Sequence, residues 1–271
     1  MNLSKRCRVT LAVIAFLVLL FLFSPILIVF PLAFSDSSFL MWPPKSFSFR
    51  WFETFFSQDK WLTATANSLK IACITTLVAL TLGTTGAYGI ARMKGWRKTV
   101  LYMLFIIPMV VPSIILALAY YFGFAAVKIP RSMLTVTIAH IIIAVPYVVT
   151  NVSAAFSNFD WNTQRASLSL GANPVTTFWR IIIPQIQPSM IAGGLFAFIT
   201  SFDEVVIAQF ISGTSLKTLP MEMYAGIKNE ISPTIAAAAA MLVILSLVLQ
   251  GGTQILSNYR EAKFTGKTRR K

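Results

Sequence analysis

Six long apolar runs dominate the sequence, and each is long enough to cross a lipid bilayer as a helix. They cover residues 11–33, 68–91, 101–127, 133–156, 188–211 and 234–257. Because a transmembrane helix needs about 20 predominantly apolar residues, each run is a candidate span. The residues are 56% hydrophobic and only 12% charged, so the chain lacks the polar surface of a soluble protein. The sequence therefore predicts an all-α membrane protein with six transmembrane helices at 11–257 and short tails at 1–10 and 258–271.

Basic residues are distributed unevenly among the tails and connections. Of the 23 Lys and Arg residues, 15 lie in the two tails, the second connection and the fourth connection at 157–187. Basic residues remain on the cytosolic side, so we predict that both termini lie in the cytosol. The net charge of +14 then reflects topology and contact with anionic lipid, without a nucleic-acid partner. The first run exceeds the about 7 to 15 apolar residues of a signal peptide, so we expect it to remain as a span.

The external segment between the first two runs is rich in aromatic residues. Trp51, Phe52, Phe55 and Phe56 recur at helical spacing. Aromatic side chains are enriched at membrane interfaces, and amphipathic helices lie there with their apolar face in lipid. We therefore predict an interfacial helix with this stripe in lipid. The segment is too small for a folded receptor domain, so a soluble receptor for a solute would be another chain.

Small residues and prolines indicate how the spans pack. In the second run, small residues recur every fourth position: Ala79, Gly83, Ala87 and Ala91. Such a face lets another backbone approach closely, and the alanine run at 236–240 predicts the same for the last span. Pro108 and Pro112 remove two backbone donors one turn apart in the third run. Breaks of this kind are tolerated only beside protein or a wet cavity.

The fourth connection has the signals of a helix-turn-helix. Asn162 or Thr163 can cap a first helix, and Gly171 suits the left-handed position that ends it. Asn173 can cap a second helix with Pro174 at its first position. The sequence thus predicts two short helices on the cytosolic face.

The second of these helices is amphipathic. Its apolar residues fall on one stripe: Val175, Phe178, Trp179 and Ile182. Pro184 and Pro188 are expected to end the helix, because proline lacks the backbone donor that a helix interior requires. We predict that this stripe inserts into a partner protein.

Residues 165–184 also follow a known register. Arg165-Ala166-Ser167 is followed after three residues by Gly171, and after nine more by Ile181-Ile182-Ile183-Pro184. This register resembles the coupling loop of the permease subunits of binding-protein-dependent ABC importers, whose pattern has Glu-Ala-Ala, Gly and Ile-x-Leu-Pro at these places. Arg165, Ser167 and Ile183 depart from that pattern. The loop's position before the last two runs also agrees with the family.

The resemblance implies a type I ABC importer permease fold, with ATPase coupling through eight residues of the loop. These are Arg165, Ala166, Ser167, Gly171, Ala172, Asn173, Pro174 and Phe178. It also implies a multi-pass protein of the bacterial inner membrane, two ATPase subunits that bind ATP and Mg²⁺, an external solute-binding protein, and a second permease. We expect that second permease to be a different chain, because Arg165 reverses the charge of the family's Glu.

The chain itself is expected to be non-catalytic, with no metal and no cofactor. The sequence contains one Gly-Lys-Thr, at 266–268, but position 261 is Glu where a phosphate-binding loop has its first glycine. ATP hydrolysis is therefore expected on a separate subunit.

Two acidic residues, Asp203 and Glu204, lie inside the fifth run. A charged residue at a helix centre costs roughly 2.5 to 3.5 kcal/mol on insertion scales, so both require a polar environment. Thr200 and Ser201 lie on the preceding turn and are expected to share one polar arc with them. We interpret these four residues as a cation-attracting wall of the substrate path. An ion pair with a partner helix, or exposure at the outer headgroups, is the alternative.

Two hypotheses of function follow. The stretch 201–206, together with Thr218-Leu219-Pro220, resembles the spermidine and putrescine type of the family, which implies a polyamine or another organic cation as solute. The alternative is an ion-coupled secondary transporter or channel that uses Asp203, Glu204 and His140. A hydrogen bond to a neighbouring helix is the simpler interpretation of His140.

Overall fold

The computed structural model describes residues 5–214, 216–229 and 232–268, with side chains within 7–252 apart from residue 229. These residues are helical almost throughout. The helices are α1 (Lys5–Ala33), α2 (Arg50–Ser57), α3 (Asp59–Arg92), α4 (Trp96–Val110), α5 (Ser113–Ala126), α6 (Met133–Ser157), α7 (Trp161–Ser169), α8 (Pro174–Thr177), α9 (Ile183–Asp203), α10 (Val206–Ile211), α11 (Leu219–Asn229) and α12 (Thr234–Thr268). A π-helical turn, Phe178–Ile182, joins α8 to α9.

The prediction of six spans is confirmed, with one of them broken. Five helical segments in the described part of the chain are long and apolar enough to cross a membrane. They are α1, α3, α6, the continuous helix Pro174–Asp203, and α12 as far as Gly252. The pair α4 and α5 makes the sixth candidate. Helix extends into both predicted tails, because α1 begins at Lys5 and α12 continues to Thr268.

The third span is broken where the prolines predicted irregular backbone. Helices α4 and α5 meet at an angle of 100°. Val111 is extended, with ψ 131°, a conformation that proline favours in the residue before it. Pro112 then precedes the first residue of α5, while Pro108 lies inside α4.

The fourth connection runs directly into the fifth span, so the prediction that Pro184 and Pro188 end the second helix is wrong. Pro184 has no N–H to donate to the carbonyl one turn earlier. The π-helical turn accommodates this loss, since Ile183 donates to Phe178 five residues back rather than four. Pro188 lies within α9, and the helix continues to Asp203.

The chain divides into two compact units, of which the larger comprises residues 63–222 and 246–271. Within it, the small-residue face of α3 packs against α6 as predicted. Ala79 and Ala87 are fully buried. A Cβ atom added to Gly83 would lie 2.6 Å from the Cβ atom of Val148, so only glycine fits this contact. An added Cβ at Gly193 of α9 would lie 3.0 Å from the Cα atom of Val148, so α9 also packs closely against α6.

The other unit comprises residues 1–62 and 223–245 and contains α2. The predicted aromatic stripe of α2 does not lie in lipid as a whole, because Trp51 and Phe55 are buried. Phe55 stacks on Trp61 with ring centroids 5.5 Å apart, and Phe56 remains exposed. Trp51 packs among small side chains: Ala33, Ala236, Ala237 and Ala240. Those alanines leave room for an indole ring, which confirms the close packing predicted for 236–240.

Candidate functional site

The first helix of the fourth connection, α7, is capped two residues earlier than predicted. The carboxylate of Asp160 accepts a hydrogen bond from the backbone N–H of Asn162 at 2.9 Å. Thr163 donates its hydroxyl to the Asp160 carbonyl at 2.7 Å instead of capping the helix. The chain offers three capping residues within four positions here, and local sequence does not distinguish them.

The turn after α7 has the predicted geometry. Gly171 has φ 87°, in the left-handed region, and donates its N–H to the Leu168 carbonyl at 3.0 Å. The next amide, of Ala172, donates to Ser167 at 3.2 Å. No atom lies within 4 Å of a Cβ atom added to Gly171, so the backbone conformation alone requires glycine here.

The start of the second helix also agrees with the prediction. The side-chain oxygen of Asn173 accepts from the Thr176 N–H at 2.7 Å, and Pro174 occupies the first turn. The hydroxyls of Ser167 and Thr177 lie 3.0 Å apart and connect α7 to α8. Thr177 is fully buried, so this bond fixes the two helices to each other away from solvent.

The predicted apolar stripe is divided between two faces. Ile182 is fully buried in the core, and Phe178 packs against that core. Val175 is 66% exposed and Trp179 63% exposed, and Leu170 at the end of α7 is 88% exposed. Positions 175 and 179 lie on one helical face and positions 178 and 182 on the adjacent face, because residues four apart are aligned. Only the first face is available to a partner protein.

The exposed surface of the connection is apolar and basic. We define the loop surface as Leu170, Val175 and Trp179 with the neighbouring Arg165 and Arg180. Both arginines are exposed, and the ion pair found among the described residues, Lys217 with Glu222 at 3.8 Å, involves neither of them. Ala166 is also exposed, whereas Ala172 is half-buried. A partner that covers the loop surface must therefore provide an apolar pocket and accept positive charge.

The fifth run is not one helix, because the chain leaves the helical conformation directly after Asp203. Glu204 is extended, with ψ 112°. Its carboxylate accepts a hydrogen bond from the Ile207 N–H at 3.0 Å and so caps the short helix α10. Asp203 is exposed at the end of α9, whereas Glu204 is half-buried.

The expected polar arc of four residues is also divided. Ser201 is buried and its hydroxyl lies 3.0 Å from Nδ1 of His140 on α6. Successive helical residues are about 100° apart, so Ser201 and Asp203 point in nearly opposite directions. Thr200 is half-buried between them. The simpler interpretation of His140, a hydrogen bond to a neighbouring helix, is confirmed.

An aromatic cluster that packs against α7 was not predicted from the sequence. Tyr88 of α3 contacts the rings of Phe156, Trp161 and Phe178, with centroids 5.8, 6.3 and 5.3 Å away. Gln164 of α7 donates its side-chain amide to the Tyr88 hydroxyl at 2.9 Å. These residues are far apart in sequence, and the periodicity of one segment contains no sign of their contact.

Comparison with known proteins assigns the chain to a family. Residues 77–258 match the family described as "Binding-protein-dependent transport system inner membrane component". The chain is 31% identical over 244 residues to the spermidine/putrescine transport system permease protein PotC of Haemophilus influenzae, which covers 89% of this chain and 94% of that protein. It is 32% identical over 234 residues to the putrescine transport system permease protein PotI of Escherichia coli K12, with 82% of each chain covered.

A solved structure has the same fold. It is a bacterial ABC transporter involved in the import of the acidic polysaccharide alginate, and one of its chains superimposes with a TM-score of 0.69. The match covers 94% of this chain and 98% of that chain. Because the sequence identity is 15%, the match supports the type I ABC importer permease fold alone. From the family match, the relatives and the helical architecture together, the chain belongs to the inner membrane components of binding-protein-dependent transport systems and is a multi-pass permease subunit of an ABC importer.

Proposed function

We propose that this permease forms half of the translocation path for a polyamine and couples to a separate ATPase through the fourth connection. The observation that carries the coupling role is the loop surface, where exposed apolar side chains stand on two capped and mutually bonded helices. Leu170, Val175 and Trp179 are exposed. When a partner covers them, the free energy of the complex falls by about 25 cal/mol per Å² of apolar area buried.

The orientation of the chain supports the same role. Basic residues are concentrated in the tails and in the second and fourth connections, which favours the proposed cytosolic position of these segments. An ATPase that uses cytosolic ATP then meets the loop surface directly. We propose two ATPase subunits that hold ATP and Mg²⁺, and no cofactor, metal or catalytic residue in this chain.

The composition of the loop surface indicates further partners. Arg165 and Arg180 give this surface positive charge, so a matching ATPase groove offers a carboxylate or a neutral group opposite them.

A second permease, which we propose to be a different chain, forms the other half of the path. An external binding protein delivers the solute, because the external segments of this chain are too short to form a receptor.

The proposed solute is a polyamine such as putrescine or spermidine. The relatives PotC and PotI carry these solutes in their names. Asp203 is exposed at the end of α9, and a carboxylate raises the local concentration of cations where water is scarce. We propose that Asp203 faces the path, that Glu204 holds the adjacent turn, and that Thr200 and Ser201 support α9 behind them.

Reconstitution into proteoliposomes tests this function. The chain is assembled with its ATPase, second permease and binding protein, and uptake of radiolabelled putrescine is measured with and without ATP. We expect uptake only with ATP and the ATPase present. Putrescine uptake by the isolated chain without ATP would instead support the ion-coupled transporter or channel. Uptake of an anion in place of putrescine would refute the proposed solute class.

A variant of Glu204 separates its charge from its capping role. In Glu204→Gln the amide oxygen can still accept from the Ile207 N–H, so the turn is retained while the charge is lost. Glu204→Ala removes both. We expect the first variant to assemble normally and the second to lower the stability of the complex, by about 1 kcal/mol as for other helix caps.

A further inference from the structure

Helix α7 is held by the packing of Trp161 on the core, by the Ser167–Thr177 hydrogen bond and by one buried polar side chain. Of its nine residues, Trp161–Ser169, only Gln164 is buried, at 6% exposure. Of its apolar residues, Trp161 packs on the core at the start of the helix, whereas Ala166 and Leu168 are exposed. Gln164 is the one buried anchor in the middle of α7, so the rotation of the helix about its axis depends in part on where the Gln164 amide finds a hydrogen-bond partner.

That partner is the hydroxyl of Tyr88, on which two donors converge. Gln164 Nε2 donates to Tyr88 Oη at 2.9 Å, and Arg92 Nη1 donates to the same oxygen at 2.7 Å. The Arg92 guanidinium also lies over the Tyr88 ring, with Cζ 5.6 Å from the ring centroid. A phenol oxygen has the acceptor capacity for both bonds, whereas phenylalanine has none.

The Tyr88 ring stands where four helical segments meet. It contacts Phe156 at the end of α6, Trp161 at the start of α7 and Phe178 in the π-helical turn. Tyr88 itself belongs to α3, whose Gly83 is in close contact with α6 one turn away. A displacement of α3 along α6 would reach α7 through this side chain, alongside the direct contact of Phe156 with Trp161.

We propose that Tyr88 is the positioning residue of the loop surface, setting the orientation of α7 and hence the direction in which Arg165 and Leu170 face. The inference rests on the proposed coupling role of the fourth connection. Removing the hydroxyl leaves a buried amide without a partner, and that costs more than the loss of one exposed hydrogen bond. The relaxed α7 then presents the loop surface in several orientations, of which the ATPase binds one.

The test compares two Tyr→Phe substitutions in the full complex in nanodiscs. Tyr88→Phe keeps the ring and removes the hydroxyl. Tyr102→Phe is the matched control, because the Tyr102 ring packs on the same core. The readout is the ATPase concentration that gives half-maximal ATP hydrolysis. We expect Tyr88→Phe to raise that concentration about five- to tenfold, as the loss of such a bond implies, and Tyr102→Phe to leave it unchanged.

A second variant separates positioning from general damage. Gln164→Leu removes the amide that needs the Tyr88 hydroxyl, so the double variant Tyr88→Phe with Gln164→Leu leaves no buried donor unpaired. We expect the double variant to be no worse than Tyr88→Phe. Hydrogen exchange of the α7 amides should rise in Tyr88→Phe while exchange in α6 stays as in the wild type. Additive losses, or faster exchange in both helices, would mean that Tyr88 acts only as a core residue.

Gly171→Val distinguishes failure of this inference from failure of the proposed function. The substitution perturbs the loop surface directly, through the turn. If Gly171→Val weakens ATPase binding and Tyr88→Phe behaves as Tyr102→Phe does, the positioning role is wrong and coupling through the loop stands. If neither Gly171→Val nor Tyr88→Phe changes ATPase binding, the coupling role itself is wrong.

Discussion

The turn at Gly171 gives the most direct test of coupling through the fourth connection. Gly171 has φ 87°, and a Cβ atom added there meets no other atom within 4 Å. The cost of a side chain is therefore conformational and not steric. A non-glycine residue held in this region costs about 1 to 3 kcal/mol, and a β-branched residue lies at the upper end. At 1.4 kcal/mol per tenfold, the population of the native turn falls about 5- to 150-fold.

A series at this position should follow the intrinsic preference for the left-handed region. Asparagine enters that region most easily, alanine less easily and valine least. We expect ATP-coupled uptake to decrease from Gly171→Asn through Gly171→Ala to Gly171→Val, with normal membrane insertion in all three. Uptake is measured in proteoliposomes at a fixed amount of inserted permease.

Gly95 provides the matched control. It also has a positive φ, 67°, and an added Cβ atom there meets nothing within 4 Å. Gly95→Val thus also introduces backbone strain without a steric clash, at the start of α4 and outside the loop surface. We expect it to change stability without weakening ATPase binding. Equal uptake by the three Gly171 variants, or equal losses in Gly171→Val and Gly95→Val, would refute the reasoning.

Three further predictions concern packing, charge and topology. Gly83→Leu should prevent assembly of the helical core, measured as loss of the monodisperse complex in detergent, because its Cβ atom would lie 2.6 Å from that of Val148. Asp203→Asn should slow putrescine uptake several-fold while basal ATP hydrolysis stays normal. Unchanged uptake would mean that Asp203 has only a structural role. Cysteine placed at Ala172 should resist a membrane-impermeant reagent added from outside, whereas cysteine at the exposed Phe56 should react; external labelling at Ala172 would overturn the proposed orientation.

Local chemistry explains which features were predictable from the sequence. The apolar runs predict the spans because a helix that crosses lipid must be predominantly apolar over about 20 residues. Gly171 predicts a turn because the turn needs a left-handed residue, and Asn173-Pro174 predicts a helix start because the helix needs a side-chain acceptor. Each requirement is met within four residues. The same holds for Gly83, whose periodic neighbours Ala79 and Ala87 define one face of one helix.

Contacts between distant segments explain what the sequence did not reveal. Burial of Trp51 depends on Ala33 and on the alanine run after residue 235, so the aromatic stripe of α2 alone favoured lipid. Helix continues past Pro184 because a π-helical turn forms there, with Ile182 fully buried in the core. Tyr88 and Gln164 are 76 residues apart, and either side chain alone is ordinary.

The helix breaks of the larger unit share a physical requirement. Pro112 and Pro184 each lack a backbone donor, and extended Glu204 interrupts the ladder between α9 and α10. Lipid supplies no hydrogen bonds, so irregular backbone within a membrane is tolerated only against protein or a water-filled cavity. The π-helical turn compensates at Pro184, and the Glu204 carboxylate supplies an acceptor to the Ile207 N–H. Beside that last break stands Asp203, an exposed carboxylate that would be costly in lipid. The solute path proposed above would supply water to this carboxylate, at a point where the backbone is already irregular.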